Sequence, residues 1–353
     1  MTDEPKATAV ALLSGGLDST LAAKVILDQG IKVTGINFAG AYCPRPFVGE
    51  SRGERAAEKL GIELVTLPID TEFVAMVKHP KHGRGKNMNP CIDCHTLMIR
   101  KAWAYGQMPD CRLQIADCRL RDRKSGLPEG WTADFIITGE VLGQRPMSQN
   151  RQALAVVARE SGVGDRLLRP MSAKLLDVTA PEREGLVDRE RLLDIEGRQR
   201  TRQMALADKY GITDYPTPAG GCLLTEKVFS KRLAEAFDHG EDSLEIVELL
   251  SLGRHFRLPS GARLVVGRDE PENDELLRRK PAGAVVVDAG DLPGPVGLLV
   301  LRPSSAEDRT LAARICARYS DKRKEKRARV VVAGDVMEVE PATEEESSRL
   351  LVT

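Results

Sequence analysis

The chain has 353 residues, and its 52 lysines and arginines are balanced by 52 aspartates and glutamates, which gives a formal net charge of zero. This balance excludes attraction of a polyanion by global charge, so such a partner must meet a local basic patch. Hydrophobic residues make up 42% and charged residues 29%, which excludes a disordered chain and predicts a globular protein of about two or three domains.

Neither a membrane span nor a signal segment is indicated by the sequence. The longest apolar runs, such as residues 296–301, fall far short of the roughly 18 residues that a transmembrane helix needs. The N-terminal residues MTDEPKA contain no hydrophobic signal region. We therefore expect a cytoplasmic protein that does not contact a membrane.

Strands and helices alternate in the first half of the chain. Apolar, β-rich runs predict strands at residues 8–13, 32–38, 62–69, 133–139 and 166–174. Helical spacing predicts helices at residues 19–30, 52–61, 94–106 and 179–210, the last opened by a capping box from Thr179 to Glu182. This alternation predicts an α/β fold in which helices cover both faces of a parallel sheet.

The pattern changes near residue 252, where short strands with turn signals begin. Together with one helical pattern at residues 306–319, these strands predict a separate, small α+β domain. We therefore divide the chain into a core at 1–178, which carries a polar insertion at 107–131, a helical extension at 179–250, and a C-terminal domain at 251–353.

The segment SGGLDST lies between the first predicted strand and the first predicted helix. A helix N-terminus in this position offers free N–H groups and the positive end of the helix dipole, which bind phosphate. Gly15 and Gly16 let the backbone approach an anion closely, and Asp18 is a candidate ligand for phosphate-bound Mg²⁺. The nucleotide-binding candidates here are Ser14, Gly15, Gly16, Asp18, Ser19 and Thr20. The alternative is a glycine turn without a ligand.

Loops that follow the later strands should face the same crevice, because ligands of open α/β sheets bind at the carboxyl ends of strands. These loops supply further candidates for nucleotide or acceptor contacts, namely Gly139, Glu140, Gln144, Arg145 and Lys174. Each of these side chains is equally compatible with an ordinary surface position.

Three cysteines stand in contexts that favour chemistry. Cys91 and Cys94 form a CxxC pair at the start of a predicted helix, where the helix dipole favours a thiolate. Cys222 lies in the glycine-rich PAGGCLLT and can meet the pair only through the fold. The three thiols suit an iron–sulfur cluster with one iron left for an exogenous sulfur. Alternatives are a persulfide released by disulfide formation, a zinc ion with His95 as fourth ligand, and inert thiols.

These motifs resemble a known family. SGGLDST is similar to the SGGxDS loop of the PP-loop ATP pyrophosphatases. NPCIDC and GGCLLT, with GEVLGQRPMSQ and GRQRTRQMALADKYGI, resemble the tRNA thiolation branch of that family, the 4-thiouridine synthetases and 2-thiouridylases, over nearly all of residues 8–235.

The resemblance implies a PP-loop core of the HUP type that binds ATP and Mg²⁺, releases pyrophosphate and adenylates a substrate oxygen. It implies that Cys94, Cys222 and Asp18 are catalytic. It also implies that Cys91 adds the third thiol of a 4Fe-4S cluster, as in the iron–sulfur-dependent members.

The C-terminal segments ARLVVGRDEPENDELL, DLPGPVGLLVL and AARICARYSDKRKEKRARVVV resemble the NFACT-R domain, a small RNA-associated module. The residues that carry this match are Gly267, Arg268, Glu272, Asn273, Pro293 to Pro295, Tyr319 and Ser320. The resemblance implies that RNA is a partner of this domain.

A dense basic stretch in the same domain predicts contacts with RNA phosphates. Its residues are Arg314, Arg318, Lys322, Arg323, Lys324, Lys326, Arg327 and Arg329. The alternative is a solvated helix end balanced by Asp321 and Glu325. A second basic set at Arg198, Arg200 and Arg202 is a further candidate for RNA contact.

These features predict an ATP-dependent tRNA sulfurtransferase that adenylates a uridine carbonyl and replaces its oxygen with sulfur. The sulfur donor is expected to be free sulfide or a cysteine desulfurase. A PP-loop enzyme that acts on a small-molecule acceptor and a non-catalytic RNA-binding factor are the alternatives. The sequence leaves open the uridine position, the choice of 4-thio or 2-thio product, and the oligomeric state, for which a dimer is compatible.

Overall fold

A computed structural model describes residues 6–42, 50–107, 132–215, 222–288, 294–300, 305–324 and 326–353, with Lys322 and Arg323 described by their backbone alone. The chain divides into two compact units, one formed by Met1–Gly85 and Asn89–Gly221, the other by Lys86–Met88 and Cys222–Thr353. The predicted insertion lies outside the described residues except for Gln107. In the described part of the chain, no helix is long and apolar enough to cross a membrane.

The first unit is built on a five-stranded parallel sheet with the order β3-β2-β1-β4-β5. Its strands are β1 (Thr8–Leu12), β2 (Lys32–Ala39), β3 (Leu64–Pro68), β4 (Phe135–Ile137) and β5 (Leu167–Leu168). Its helices are α1 (Leu17–Leu27), α2 (Arg52–Leu60), α3 (Thr71–Lys78), α4 (Cys91–Gln107), α5 (Arg151–Glu160), α6 (Ala180–Arg183) and α7 (Thr201–Lys209). The strand order reverses between β1 and β4, which is where open α/β sheets bind ligands. The predicted parallel α/β core is confirmed.

Helices cover both faces of this sheet. Ala9 and Ala11 of β1 belong to one apolar cluster with Ala23 of α1. The intervening Val10 lies against α4, since a Cβ added to Gly106 would come within 2.7 Å of Val10 Cγ2. Successive strand residues point to opposite faces, so α1 and α4 lie on opposite sides of β1.

The segment 179–210 is less helical than its sequence pattern predicts. The capping box is present, and the N–H of Thr179 donates to Glu182 Oε2 at 2.8 Å, but α6 ends after 4 residues. Gly185 and Gly197 have positive φ angles of 72° and 84°, a left-handed backbone that does not continue a helix. The prediction of a continuous helix was therefore wrong, and regular helix resumes only at α7.

The second unit is an α+β domain on a six-stranded antiparallel sheet with the order β11-β10-β8-β9-β7-β6. Its strands are β6 (Arg254–Arg257), β7 (Arg263–Val266), β8 (Val285–Asp288), β9 (Val296–Val300), β10 (Ala328–Val332) and β11 (Asp335–Val339). Its helices are α8 (Lys227–Asp238), α9 (Leu244–Leu249), α10 (Glu270–Arg278), α11 (Ala306–Arg318) and α12 (Glu344–Leu350). Leu264 packs with Ile315 of α11, and its neighbour Val265 packs in a second cluster with Ile246 of α9. Helices therefore cover both faces here too.

A buried ionic network ties α8 to the sheet of the second unit. Arg263 of β7 is 0% exposed, donates to Glu241 Oε2 at 2.6 Å, and is also paired with Glu235 of α8. Arg257 of β6 donates to Glu235 Oε1 at 2.6 Å and to Glu241 Oε2 at 2.9 Å. The segment 179–250, predicted as one extension, is thus shared between the two units, because α8 is anchored by these strands.

Candidate active site

The predicted phosphate loop joins β1 to α1 in the first unit. The first hydrogen bond of the helix runs from the N–H of Thr20 to the carbonyl of Gly16 at 3.1 Å, so the N–H groups of residues 17–19 have no partner inside the helix. The hydroxyls of Ser19 and Thr20 donate to the same carbonyl at 2.9 and 3.0 Å. Ser14 Oγ lies 3.2 Å from Ser19 Oγ. The loop therefore presents backbone donors and the positive helix end to an anion.

Two glycines permit close backbone approach at this loop. Gly15 has a φ of +74°, and a Cβ there would lie 2.3 Å from the backbone carbonyl of Arg52. A Cβ on Gly139, which follows β4, would lie 2.4 Å from the nitrogen of Ser19 and 2.7 Å from the carbonyl carbon of Asp18. The end of β4 therefore packs directly against the first turn of α1 at Gly139. A larger residue would clash there, which explains why this position is a glycine.

Asp18 is the centre of a polar cluster. Gln144 Nε2 donates to Asp18 Oδ2 at 2.8 Å, and Gln203 Nε2 lies 3.4 Å from Gln144 Oε1. Arg200 Nη2 lies 3.7 Å from the same carboxylate oxygen. Within the described residues, three buried atoms of this cluster have no hydrogen-bond partner, namely Asp18 Oδ1, Arg200 Nε and Gln203 Oε1. Buried polar atoms without partners cost about 1–3 kcal/mol each, so their concentration here indicates a ligand site.

The polar cluster around Asp18 fits the predicted binding of a nucleotide with Mg²⁺. Mg²⁺ is usually held by one or two carboxylates together with substrate phosphates, and Asp18 Oδ1 is the buried carboxylate oxygen at the loop without a partner. Gln149, in the loop after β4, also has a buried side-chain oxygen with no partner among the described residues. The sequence analysis did not single out Gln149, although it lies in the GEVLGQRPMSQ motif. Arg145 of the same loop is exposed, and its nucleotide contact stays a prediction.

A cavity of about 220 Å³ is lined by Gly15, Arg52, Arg55, Asp214 and Tyr215. Arg55 Nε donates to Asp214 Oδ2 at 3.2 Å. No sequence signal marks either arginine as a site residue, because the pattern of α2 is that of an ordinary amphipathic helix. Only the packing of Gly15 against the start of α2 places them beside the phosphate loop.

Cys91 and Cys94 lie in the first turn of α4, which begins three residues before the predicted helix at 94–106, and both side chains are half-buried. Between them, Asp93 accepts hydrogen bonds from the N–H groups of Lys81 at 3.1 Å and His82 at 3.0 Å. These bonds hold the preceding loop against the start of α4.

His95 and Glu140 form a buried pair beside these thiols. His95 Nδ1 lies 2.7 Å from Glu140 Oε1, and Arg169 Nε donates to Glu140 Oε2 at 2.8 Å. Burial raises the pKa of Glu140, but the charge of Arg169 and the hydrogen bond from His95 lower it to about 2. Glu140 is therefore a buried, ionised carboxylate held by Arg169 and His95, and its contact with a nucleotide stays a prediction. Lys174, another such candidate, donates to the backbone carbonyl of Glu190 at 2.8 Å.

Cys222 belongs to the second unit and is half-buried. It precedes a short turn in which Thr225 Oγ1 donates to the carbonyl of Cys222 at 2.7 Å. Residues of the strap Lys86–Met88 are hydrogen-bonded to this turn within the same unit. The N–H of Met88 donates to the carbonyl of Leu224 at 3.1 Å, and Asn87 Nδ2 donates to the carbonyl of Thr225 at 2.8 Å. The preceding residues 216–221 lie outside the described residues.

The structure assembles no metal ligand set. In the described part of the chain, no group of three or more His, Cys, Asp or Glu side chains is placed to hold a metal ion. The cluster stays a prediction from the sequence.

The predicted RNA-binding residues fall into two groups. Several arginines are paired with acidic side chains inside the second unit. Arg314 donates to both carboxylate oxygens of Glu346 at 2.6 and 2.8 Å, and Arg318 donates to Glu344 at 3.2 Å. The exposed cations follow α11 and are Lys324, Lys326 and Arg327. Arg329 is also exposed, and its Nε donates to Glu338 Oε1 at 3.4 Å. The side chains of the remaining two residues, Lys322 and Arg323, are not among the described ones.

Four of the residues that carry the NFACT-R resemblance, Gly267, Arg268, Glu272 and Asn273, make contacts within the turn that joins β7 to α10, whereas Pro293 lies outside the described residues. The side-chain oxygen of Asn273 accepts a hydrogen bond from the N–H of Val296 at 3.0 Å, and a Cβ on Gly267 would lie 2.1 Å from it. Glu272 is buried and accepts hydrogen bonds from the N–H groups of Arg268 at 3.0 Å and Gly253 at 3.2 Å. These motif residues close the turn between β7 and α10 and fix its packing.

Comparison with known proteins matches the two ends of the chain to two families. Residues 7–104 match the family model of the tRNA methyl transferase HUP domain, and residues 253–350 match that of the NFACT protein RNA binding domain. The tRNA-specific 2-thiouridylase MnmA of Cutibacterium acnes is 34% identical over 99 residues, which cover 24% of this chain and 27% of that protein. MnmA of Kocuria rhizophila is 32% identical over 115 residues, with 28% and 30% covered. The chain thus spans less than a third of the length of these curated relatives.

Among solved structures, the crystal structure of a 4-thiouridine synthetase–RNA complex with bound ATP has 19% sequence identity and a TM-score of 0.35, and covers 58% of this chain and 41% of that chain. A likeness at this level has no bearing on function. The family matches agree with the PP-loop and NFACT-R resemblances of the sequence. Residues 7–104 are therefore similar to the tRNA methyl transferase HUP-domain family, and residues 253–350 are similar to the NFACT protein RNA binding domain.

Proposed function

We propose that the chain is an ATP-dependent tRNA sulfurtransferase that converts a uridine of tRNA to a thiouridine. One observation carries this proposal. The segment matched by the tRNA methyl transferase HUP-domain model, residues 7–104, holds both the phosphate loop and the Cys91–Cys94 pair, and a 2-thiouridylase is 34% identical to this chain over 99 residues. An amide-forming PP-loop enzyme has no use for such thiols, because its chemistry moves no sulfur.

The first step in this proposal is adenylation of the uridine. The uridine carbonyl oxygen attacks the α-phosphorus of ATP, a new oxygen–phosphorus bond forms, and the bond to pyrophosphate breaks. The free N–H groups of α1 bind the phosphate chain and stabilise the leaving pyrophosphate. A bound magnesium ion would neutralise phosphate charge, and Asp18 Oδ1 is the oxygen that would hold it. Adenylation is needed because a carbonyl oxygen leaves poorly, whereas AMP leaves well.

Sulfur transfer follows at the activated carbon. A persulfide on one cysteine of the pair Cys94 and Cys222 attacks this carbon through its terminal sulfur, and AMP leaves with the former carbonyl oxygen. The thiolate of the second cysteine then attacks the first cysteine's sulfur. A disulfide forms, the sulfur–sulfur bond to the nucleoside breaks, and thiouridine is released. A dithiol reductant must reduce the disulfide before the next turnover.

The C-terminal unit is proposed to bind the tRNA. Its support is the match to the NFACT protein RNA binding domain and the exposed cations Lys324, Lys326 and Arg327. Such an enzyme works where tRNA is, in the cytoplasm. A cysteine desulfurase, which itself carries a persulfide, would supply the outer sulfur of the cysteine persulfide. Free sulfide can supply it by opening the disulfide between the two cysteines, which gives a persulfide on one cysteine and a thiolate on the other without a further oxidant.

Mass spectrometry of nucleosides tests the proposal. The full chain is incubated anaerobically with tRNA, ATP-Mg, a dithiol reductant and a cysteine desulfurase with L-cysteine, with sulfide as the sulfur donor in a parallel reaction, and the tRNA is digested. We expect a new thiouridine that requires ATP and is lost in Cys222→Ser, and its identity reports the 2-thio or 4-thio product. Pyrophosphate release without any thionucleoside, across several tRNA pools, would contradict a tRNA substrate and favour a small-molecule acceptor.

A parallel assay separates the two sulfur routes. Iron and visible absorbance of anaerobically reconstituted protein are measured, with Cys222→Ser as the matched variant. Protein that forms thiouridine without iron supports the persulfide route. Activity that appears only with bound iron would contradict it and support the cluster.

A further inference from the structure

Arg200 faces the phosphate loop and not the surface. Its side chain is 14% exposed, and Nη2 lies 3.7 Å from Asp18 Oδ2. The sequence grouped Arg200 with Arg202 as a candidate RNA contact, yet Arg202 is 56% exposed and paired with Asp194. Two arginines of one short segment thus have different surroundings, and only Arg200 belongs to the Asp18 cluster.

We propose that Arg200 binds the pyrophosphate portion of the nucleotide and that Gln144 and Gln203 position Asp18 for the cation. This inference rests on the proposed function, because it names further residues of the same nucleotide site. Arg200 is the phosphate-binding residue, and the two glutamines act through Asp18.

The hydrogen-bonding state of Arg200 carries the first step of the argument. A guanidinium has five N–H donors, and one arranged around a carboxylate normally donates at about 2.7–2.9 Å. The separation of 3.7 Å from Asp18 is too long for such a bond, and Arg200 Nε is buried without a partner among the described residues. Asp18 therefore balances the charge of Arg200 without using its donors, which remain available to phosphate oxygens.

Charge supplies the second step. The positive end of α1 and the guanidinium of Arg200 converge at the loop, where Asp18 is the acidic group of the cluster. When a divalent cation is bound, the single negative charge of Asp18 is smaller than the positive charge of the cation, the Arg200 guanidinium and the N-terminus of α1 together. The site therefore favours a ligand that carries several negative charges. A pyrophosphate group meets this requirement better than the single phosphate of AMP.

The glutamines supply the third step. Gln203 is 0% exposed, yet its Oε1 has no partner in the described residues, which is the mark of a polar group built for a ligand. Its amide nitrogen lies 3.4 Å from Gln144 Oε1, and Gln144 in turn donates to Asp18 Oδ2 at 2.8 Å. This chain of contacts fixes one oxygen of Asp18 and leaves Oδ1 without a partner. The free acceptors suit a cation, and the free donor on Arg200 suits the phosphates.

Calorimetric titration of the full chain with three probes tests the assignment. ATP, inorganic pyrophosphate and AMP are each titrated with Mg²⁺ present into the unmodified protein, Arg200→Gln and Arg202→Gln. We expect Arg200→Gln to raise the Kd for ATP and for pyrophosphate by about tenfold or more, the worth of a charge-assisted hydrogen bond. The Kd for AMP should stay within about twofold, and Arg202→Gln should change none of the three.

The opposite results overturn the proposal. Unchanged pyrophosphate affinity in a folded Arg200→Gln, or an equal loss for AMP and pyrophosphate, would show that Arg200 does not bind the pyrophosphate. If Arg200→Gln does not fold, Arg200→Lys is used instead, because lysine keeps the positive charge but lacks the two parallel N–H donors of the guanidinium. It should then retain pyrophosphate binding more weakly than the unmodified protein, and full affinity in this variant would contradict the proposal.

Gln203→Met tests the positioning role through the cation. This variant should weaken ATP binding in Mg²⁺ but leave binding in EDTA unchanged, whereas a merely structural role would weaken both equally. The outcomes are distinct from failure of the proposed function. A protein that binds pyrophosphate through Arg200 but thiolates no tRNA would keep this inference and lose the tRNA substrate.

Discussion

Both units bury polar side chains, but they differ in how many of the buried polar atoms have hydrogen-bond partners. In the phosphate-loop cluster, Asp18, Arg200 and Gln203 each leave a buried polar atom without a partner in the described residues. In the second unit, Arg263 is fully buried and donates to two carboxylates and to His255 Nδ1. The first arrangement leaves polar atoms available to a ligand, whereas in the second the charged groups around Arg263 satisfy one another.

This contrast separates a binding site from a structural network without reference to motifs. Buried charges that are paired and fully hydrogen-bonded fix one packing arrangement. Buried polar atoms without partners cost about 1–3 kcal/mol each, so several of them in one place indicate a site that a ligand satisfies. The network around Arg263 has one such atom nearby, Arg232 Nε, but the other nitrogens of Arg232 donate to the carbonyls of Leu250 at 3.0 Å and Gly253 at 3.1 Å.

The largest effect is expected from Asp18→Asn. Removing the charge leaves an amide that holds a divalent cation poorly, so pyrophosphate release should fall by about 10²- to 10³-fold, as when a preorganised electrostatic group is lost. The unfolding free energy should change little, because Gln144 can still donate to the remaining oxygen. Pyrophosphate release is measured with Asp194→Asn, a half-exposed aspartate of the same unit, as control. Normal release in Asp18→Asn would remove the loop from the mechanism.

The second effect concerns stability and the other unit. Arg263→Met leaves Glu241, which is 6% exposed, with one fewer cation, and breaking a buried ion pair costs about 3–5 kcal/mol. Denaturant unfolding should show this loss, whereas Arg278→Met, at a site with a 67% exposed side chain, should change stability by less than about 1 kcal/mol. ATP binding by the folded fraction should be unchanged. A stability loss below about 1 kcal/mol would contradict the view that this network is structural.

The sequence was sufficient to predict elements whose signals are local. The glycine loop and the strand and helix beside it were predictable, because strand pattern, turn glycines and helical spacing coincide at residues 8–30. The CxxC at the start of α4 was predictable for the same reason. The continuous helix over 179–210 was wrong, because the left-handed Gly185 and Gly197 end helices that propensity alone would extend.

The rest of the site depends on contacts distant in sequence. Arg200 lies 182 positions after Asp18, and no local pattern distinguishes it from Arg202 in GRQRTRQ. Likewise, nothing in the sequence of α8 predicts that Glu235 pairs with Arg257 and Arg263. Tertiary packing decides which charged side chains are buried and which are exposed to solvent. The structure was therefore needed to distinguish Arg200, at the phosphate loop, from Arg202, at the surface.

Intermediate effects are expected at the exposed cations of the second unit. Replacing Lys324, Lys326 and Arg327 together by glutamine should weaken RNA binding by about tenfold and reduce the slope of log affinity against log salt by about two to three. The loss should be similar for RNAs of different sequence, since phosphate contacts carry no sequence information. Arg349→Gln is the control, because Arg349 is 75% exposed but paired with Glu345 at 3.1 Å. An unchanged salt slope in the triple variant would place the RNA elsewhere.

The smallest effect is a pH dependence that originates in the satisfied network. Burial, and then the charges of Arg232 and Arg263, hold the pKa of His255 well below its ordinary value of 6.5. His255 Nε2 donates to the carbonyl of Leu252 at 2.9 Å while Nδ1 accepts from Arg263, so the neutral ring is already fully bonded. A proton on Nδ1 would remove the acceptor that Arg263 uses.

The sign of this dependence follows from linkage. Below pH 6.5 the unfolded chain binds a proton at His255 that the folded chain refuses, so the free energy of unfolding falls as the pH falls, by at most about 1.4 kcal/mol per pH unit. Above this pH the contribution is fully present. Urea unfolding at pH 7.5 and pH 5.5 should therefore show a loss of about 1 kcal/mol at the lower pH that His255→Gln abolishes. An equal loss in His255→Gln would mean that another group titrates, and that the network tolerates a further positive charge.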